Sequence, residues 1–150
     1  MREIKFRGKR VDNGEWGYGY YVRHETRQLC PIGDDKLKPE EIKHLIVVDS
    51  FADWNMPRQL QGIKVIPETI GQYTGLKDRN GVEIYEGDIL RVTDEADEVN
   101  ALNSDTGIGV VEWLNKWGFW NISNIENGLG DILNWGHVEV IGNIYEYKDL

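Results

Sequence analysis

The stretch Pro67 to Val92, PETIGQYTGLKDRNGVEIYEGDILRV, constrains the fold more than any other part of the chain. It places a Thr74-Gly75 turn, an Asn80-Gly81 turn and an acidic Glu86-Gly87-Asp88 turn between short β-type runs. Asn-Gly and Thr-Gly pairs mark tight reversals because glycine enters left-handed backbone without the Cβ clash. A chain that reverses this often cannot build long helices here. The stretch reads as a connector feeding the strand Ile89 to Val92, and it carries no nucleophile, metal cluster or phosphate loop.

The same grammar runs through the remainder. Met1 to Val22 predicts a hairpin: Ile4 and Phe6 alternate with Lys5, Arg7 and Lys9, Asp12-Asn13-Gly14 supplies the turn, and Glu15 to Val22 returns. Gly17 and Gly19 alternate with Tyr18 and Tyr20, which leaves one face of that return bare for a bend or a close neighbour. Cys30 to Lys43 is irregular, with one short helical turn at Pro39 to Ile42. Strands are expected at His44–Val48, Ile63–Ile66 and Ile70–Tyr73, with a loop over Asp49–Gln61 around Trp54 and Pro57.

The boundary between two modules is placed near Thr74 to Gly81, giving an N-terminal β subdomain over 1–75 and a C-terminal one over 76–150. In the second, Ile89–Val92 is followed by a long polar loop, Thr93 to Gly107. Ile108–Leu114 then pairs with Trp117–Ile122 across Asn115-Lys116, and His137–Tyr147 forms two strands broken at Gly142-Asn143. Trp113, Trp117 and Trp120 also fit helical spacing, but Gly118 costs about 1 kcal/mol inside a helix and the Val/Trp/Phe composition suits a strand. The expected class is all-β with two small subdomains, the second patterned like an SH3-like barrel. Pattern alone carries no function.

Six Trp, seven Tyr and three Phe among 150 residues can fill a core, so the composition is not that of a disordered chain. Cys30 is the only cysteine, which excludes an intrachain disulfide and a cysteine-based zinc site and suits a small buried hydrophobe. The longest apolar run, Leu45–Val48, is far short of the ~18 residues that span a bilayer. The charged, alternating N-terminus is unlike a signal peptide, and an intracellular, cytoplasmic location is expected. Net charge is −9 and uneven: residues 1–75 hold 12 basic against 11 acidic side chains, residues 76–150 hold 5 against 15. Phosphate binding wants the opposite bias, so duplex DNA is not an expected partner.

Candidate chemistry is sparse. His24, His44 and His137 lack ligand spacing, and structural histidines are the expectation. The run Asp94-Glu95, Asp97-Glu98 lacks EF-hand spacing and reads as a solvated loop. Glu86 and Asp88 resemble an acid–base pair, yet turn chemistry before a strand accounts for both. Gly17-x-Gly19 and Gly107-x-Gly109 are not dinucleotide fingerprints, and no Gly-x-Ser-x-Gly occurs. Two features remain. Lys5, Arg7 and Lys9, with Arg10, form a basic stripe suited either to phosphate or to guarding a strand edge. Trp113, Trp117, Phe119 and Trp120 could stack a ligand or partner, although a small β core also needs aromatic filling.

Three blocks together resemble the YopX family of phage and prophage proteins. They are Met1–Arg7, the central Gly71–Asp78 with Asn80-Gly81 and Glu83–Ile89, and the closing Val140–Glu146. The resemblance implies a phage-derived, intracellular, all-β protein with two subdomains that self-associates. The family offers no established catalytic residues, so none is carried over, and no cofactor or metal is expected. The reading is a non-enzymatic, self-associating protein-interaction module, a homo-oligomer with a host or phage protein as further partner. Its interaction surface would draw on Lys5, Arg7, Lys9, Trp113, Trp117 and Trp120. The alternatives are a nucleic-acid accessory protein using the basic N-terminal strand, and an enzyme whose site is assembled only by the fold.

Overall fold

A computed structural model describes residues 2–26, 37–50, 54, 57–94, 107–125 and 128–146. Cys30 and most of the acidic loop after Thr93 lie outside these residues. The chain divides into two compact units, one from Ile4 to Ile70 and one combining Met1–Glu3 with Gly71–Leu150. Strand dominates both, as the turn-rich sequence implies.

In the Ile4–Ile70 unit, β1 (Phe6–Lys9) and β2 (Trp16–Glu25) form the expected hairpin, with Phe6 opposite Gly19 and Lys9 opposite Trp16. Its turn is built from local polar chemistry. The Arg10 amide donates to the Glu15 carbonyl at 2.8 Å, and Gly14 takes a φ of 72°. The Arg10 guanidinium grips both Asp12 oxygens at 3.0 and 2.8 Å. β3 (Ile42–Ser50) and β4 (Gln59–Lys64) complete the antiparallel order β4-β3-β2-β1. Both run further than their apolar cores suggest, so the loop expected at Asp49–Gln61 is shorter at each end. The strand expected at Ile63–Ile66 ends instead at Lys64, with Val65 bridging to Arg10.

The bare glycine face has a physical use. β2 pairs with β1 through residue 19 and with β3 from Tyr20 onward. A Cβ on Gly19 would run into the Val47 carbonyl oxygen, so only glycine lets β3 approach there. Ile46 and Val65 are buried in this unit. The Pro39–Glu41 segment is a single 3-10 turn, as its proline and acids suggest.

The second unit begins with β5 (Gly71–Lys77) and β6 (Glu83–Tyr85), which pair antiparallel. The sheet β10-β7-β8-β9 follows, from β7 (Asp88–Asp94), β8 (Gly107–Leu114), β9 (Phe119–Ile122) and β10 (Gly136–Asn143). Trp113 faces Trp120 across the β8–β9 hairpin, so the tryptophans are strand residues. Gly118 closes the turn at φ 70°, and its amide donates to the Leu114 carbonyl at 2.7 Å.

Three expectations are corrected here. The sheet is open, and no closed SH3-like barrel occurs among the described residues. A helix, α1 (Leu129–Trp135), lies where no element was foreseen, and Leu129 and Ile132 enter a core with Ile84, Leu90, Val111 and Ile122. Of the two strands expected over His137–Tyr147, one is found: β10 runs on to Asn143 with an irregularity between Val140 and Gly142, and Ile144–Glu146 is a turn. A bulge keeps such a strand paired while re-aiming its side chains.

The turn-rich central stretch proves to be scaffold. Gly75, Gly81 and Gly87 take φ of 84°, 80° and 90°, which other residues adopt only under strain. Asp78 is 7% exposed. Its Oδ1 accepts the amides of Asn80 and Val82 at 2.8 and 2.9 Å, and its Oδ2 accepts the Val140 amide at 3.0 Å. The Arg79 amide donates to the Val138 carbonyl at 3.0 Å, so the β5–β6 turn satisfies backbone groups of β10 that its partner β7 does not. Asp88, 1% exposed, accepts the Tyr85 amide at 2.8 Å and stands opposite Asn143. The Ile144 amide donates to the Gly87 carbonyl at 3.0 Å. The central and closing blocks therefore meet as structure.

Candidate functional site

A groove of about 570 Å³ opens on the second unit beside the β8–β9 hairpin. Its aromatic wall is Trp113, Phe119 and Trp120. The hairpin register puts the two tryptophans directly opposite, with ring centroids 4.9 Å apart and planes at 66°. Edge-to-face packing of this kind fixes both rings without covering them, and Trp113 remains 38% exposed. Phe119 is exposed too. Trp120 packs in part against the core, which anchors the wall.

The opposite side comes from β5 and from the start of α1. Thr74 and Leu76 line it, but the Thr74 hydroxyl is engaged, donating to the Ile84 carbonyl at 2.8 Å. Gly128 lets the chain pass close to the aromatic wall, since a Cβ there would sit 3.2 Å from the Phe119 ring. Among the described residues, two charged side chains join the lining: Asp131 on α1 and Arg2 from the N-terminal segment, both exposed. Arg2 runs past Gly75, whose added Cβ would lie 3.8 Å from the arginine Cγ.

The sequence-derived candidates therefore separate. Trp113 and Trp120 come together in the groove. Trp117 does not line it; it stands at the hairpin tip, 66% exposed, with the Lys116 ammonium 5.2 Å from its ring centroid. The basic stripe lies in the other unit. Arg7 is 6% exposed, with its guanidinium carbon 4.7 Å from the Trp16 ring centroid. Lys9 shares that ring at 5.6 Å, and Lys5 is half-buried. Cations held on an indole face shield the aromatic surface as much as they offer charge.

Asp131 and Gly128 escaped the sequence reading because α1 did. A seven-residue helix containing Gly130 has too few turns to show a period. Of the three histidines, His44 is stacked on Tyr21 and its Nδ1 lies 2.7 Å from the tyrosine hydroxyl. No group of three or more His, Cys, Asp or Glu among the described residues could hold a metal ion. Glu86 is half-buried: burial pushes its carboxyl up, and the Gln72 amide offsets this in part. Asp88, its neighbour in the turn, is committed to the backbone.

Among the described residues, two antiparallel β units, the second carrying a short helix and a surface aromatic groove, define a small β-sheet protein. The chain belongs to the YopX protein family, whose sequence model matches residues 5–150. The crystal structure of protein EF1440 from Enterococcus faecalis has a similar fold, with a TM-score of 0.52 at 24% identity, covering 99% of this chain and 98% of that one. No curated protein sequence matches. No helix among the described residues is long and apolar enough to cross a membrane.

Proposed function

We propose that this chain is a non-enzymatic phage or prophage accessory protein that works by binding, as a self-associating protein-interaction module in the bacterial cytoplasm. The observation that carries the reading is the groove on the second unit. Trp113, Phe119 and Trp120 leave apolar surface in the open, where aromatic anchors serve protein recognition. Of the two carboxylates that resembled an acid–base pair, Asp88 is buried and accepts a backbone amide, which braces the turn, and Glu86 is half-buried beside it with its carboxyl pushed up by burial. Asp78, a third buried carboxylate, accepts three backbone amides and braces the neighbouring turn.

The nucleic-acid alternative draws on the stripe of Lys5, Arg7 and Lys9. Arg7 lies buried beside Trp16 and Lys9 leans on the same ring, which favours protein recognition over phosphate contact. Light scattering at several protein and salt concentrations tests self-association. A mass above one chain that grows with concentration supports it; one chain throughout, at low salt as well as high, removes the oligomer from the reading.

A further inference from the structure

We infer that the groove of the second unit receives a cationic side chain, arginine or lysine, from an extended segment of a partner protein. This deepens the interaction-module reading and rests on it. Three observations converge. Trp113, Phe119 and Trp120 gather three aromatic rings on one lining, and among aromatic side chains Trp attracts cations most strongly. Asp131 places a carboxylate on the same lining, so a cation seated among the rings meets an anion as well. The unit around it, Met1–Glu3 with Gly71–Leu150, holds 6 basic against 16 acidic side chains and therefore attracts a basic segment from a distance.

The chain already uses this chemistry on itself. Arg7 and Lys9 sit over Trp16, and Lys116 sits over Trp117. Arg2 borders the groove and carries the one positive charge among the described residues of its lining. It is a competitor for an incoming cation, which gives the inference a sign that a merely sticky patch would lack. Removing Arg2 strengthens a cationic ligand and weakens an anionic one.

The test uses the full chain, labelled with ¹⁵N, and follows the indole N–H signals of Trp113 and Trp120. The probes are three blocked pentapeptides with four glycines around a central arginine, citrulline or glutamate. Citrulline keeps the shape of arginine and loses its charge. The expected result is a saturable shift of both indoles with the arginine probe and roughly 10-fold weaker binding of the citrulline probe. Asp131→Asn is expected to weaken the arginine probe roughly 5-fold, and Arg2→Ala to tighten it. Both changes are at exposed positions, so folding is not at issue. Equal binding of arginine and citrulline overturns the inference. So does indifference to Asp131→Asn, a preference for glutamate that Arg2→Ala abolishes, or no indole shift at about 10 mM probe. If a captured protein partner still requires Trp113 and Phe119 while the arginine probe fails, the cation assignment is wrong and the interaction module stands.

Discussion

Replacing Asp78 by alanine tests whether the family's central block is scaffold. The carboxylate accepts three backbone amides, from Asn80, Val82 and Val140, at 2.8–3.0 Å. Asn80 and Val82 are exposed, so water can replace the acceptor there, and each bond is worth about 0.5–1 kcal/mol. The Val140 amide is half-buried and loses a charged acceptor, which costs about 1–3 kcal/mol. The sum is about 3 kcal/mol, a large share of the ~5–15 kcal/mol that holds a domain together. In urea this moves the midpoint down by roughly 1–2 M. Amide exchange by NMR gives the finer readout, because the Val140 N–H should exchange faster in Asp78→Ala. Asp78→Asn keeps one acceptor oxygen for the turn and turns an NH₂ toward Val140, so it should rescue the turn amides only. Arg79→Ala is the control, since the exposed Arg79 contributes its amide to the contact with Val138. An Asp78→Ala protein within about 0.5 kcal/mol of wild type, with Val140 exchange unchanged, would refute the reasoning.

Other outcomes follow from the same structure. Glu86→Gln should stabilise the protein at neutral pH, because burial raises the native carboxyl and its ionised form opposes folding. The wild type escapes that cost below the ordinary value of about 4.3 and incurs it as pH rises through the raised one, so the advantage of Glu86→Gln should vanish near pH 4 in paired urea curves. Gly109→Ala should lose about 1–3 kcal/mol, since a Cβ there meets the Ser123 carbonyl and the Ile122 side chain. Gly130→Ala, in open space on α1, should gain about 0.5–1 kcal/mol; thermal melts distinguish the two. Duplex DNA should bind weakly at physiological salt, and a tight complex weakened by charge reversal at Lys5 and Arg7 would restore the nucleic-acid reading.

Local chemistry was the legible part. Asp12-Asn13-Gly14, Asn80-Gly81 and Glu86-Gly87-Asp88 fix left-handed or capped turns by their own residues, and each is a turn in the fold. The β8–β9 hairpin was legible for the same reason: Gly118 and the β-type composition outweigh a helical spacing of tryptophans. What escaped depends on tertiary contact. α1 exists because Leu129 and Ile132 complete a core supplied by distant strands, which no seven-residue window reveals. The open sheet resembles a barrel in strand order along the chain, and only pairing tells the two apart. The tryptophans were visible as a cluster, but the partition of Trp113 and Trp120 into the groove and Trp117 to the tip follows from register. The basic stripe misleads for a related reason. Alternation puts Arg7 and Lys9 on one face of β1, and nothing in their spacing reveals Trp16 lying against them.

The central claim is that the chain acts by protein recognition through the aromatic groove of its second unit. The most direct measurement is a side-by-side affinity capture from host cells during prophage induction, using wild type and a Trp113→Ser/Phe119→Ser variant as baits. Both positions are exposed, so the variant should keep the wild-type circular dichroism spectrum. Recovered protein is quantified by mass spectrometry and recovered nucleic acid by sequencing. The account predicts specific protein partners, or further copies of this chain, held by wild type and lost from the variant. Nucleic acid as the main recovery, or equal recovery of the same proteins by both baits, would contradict it.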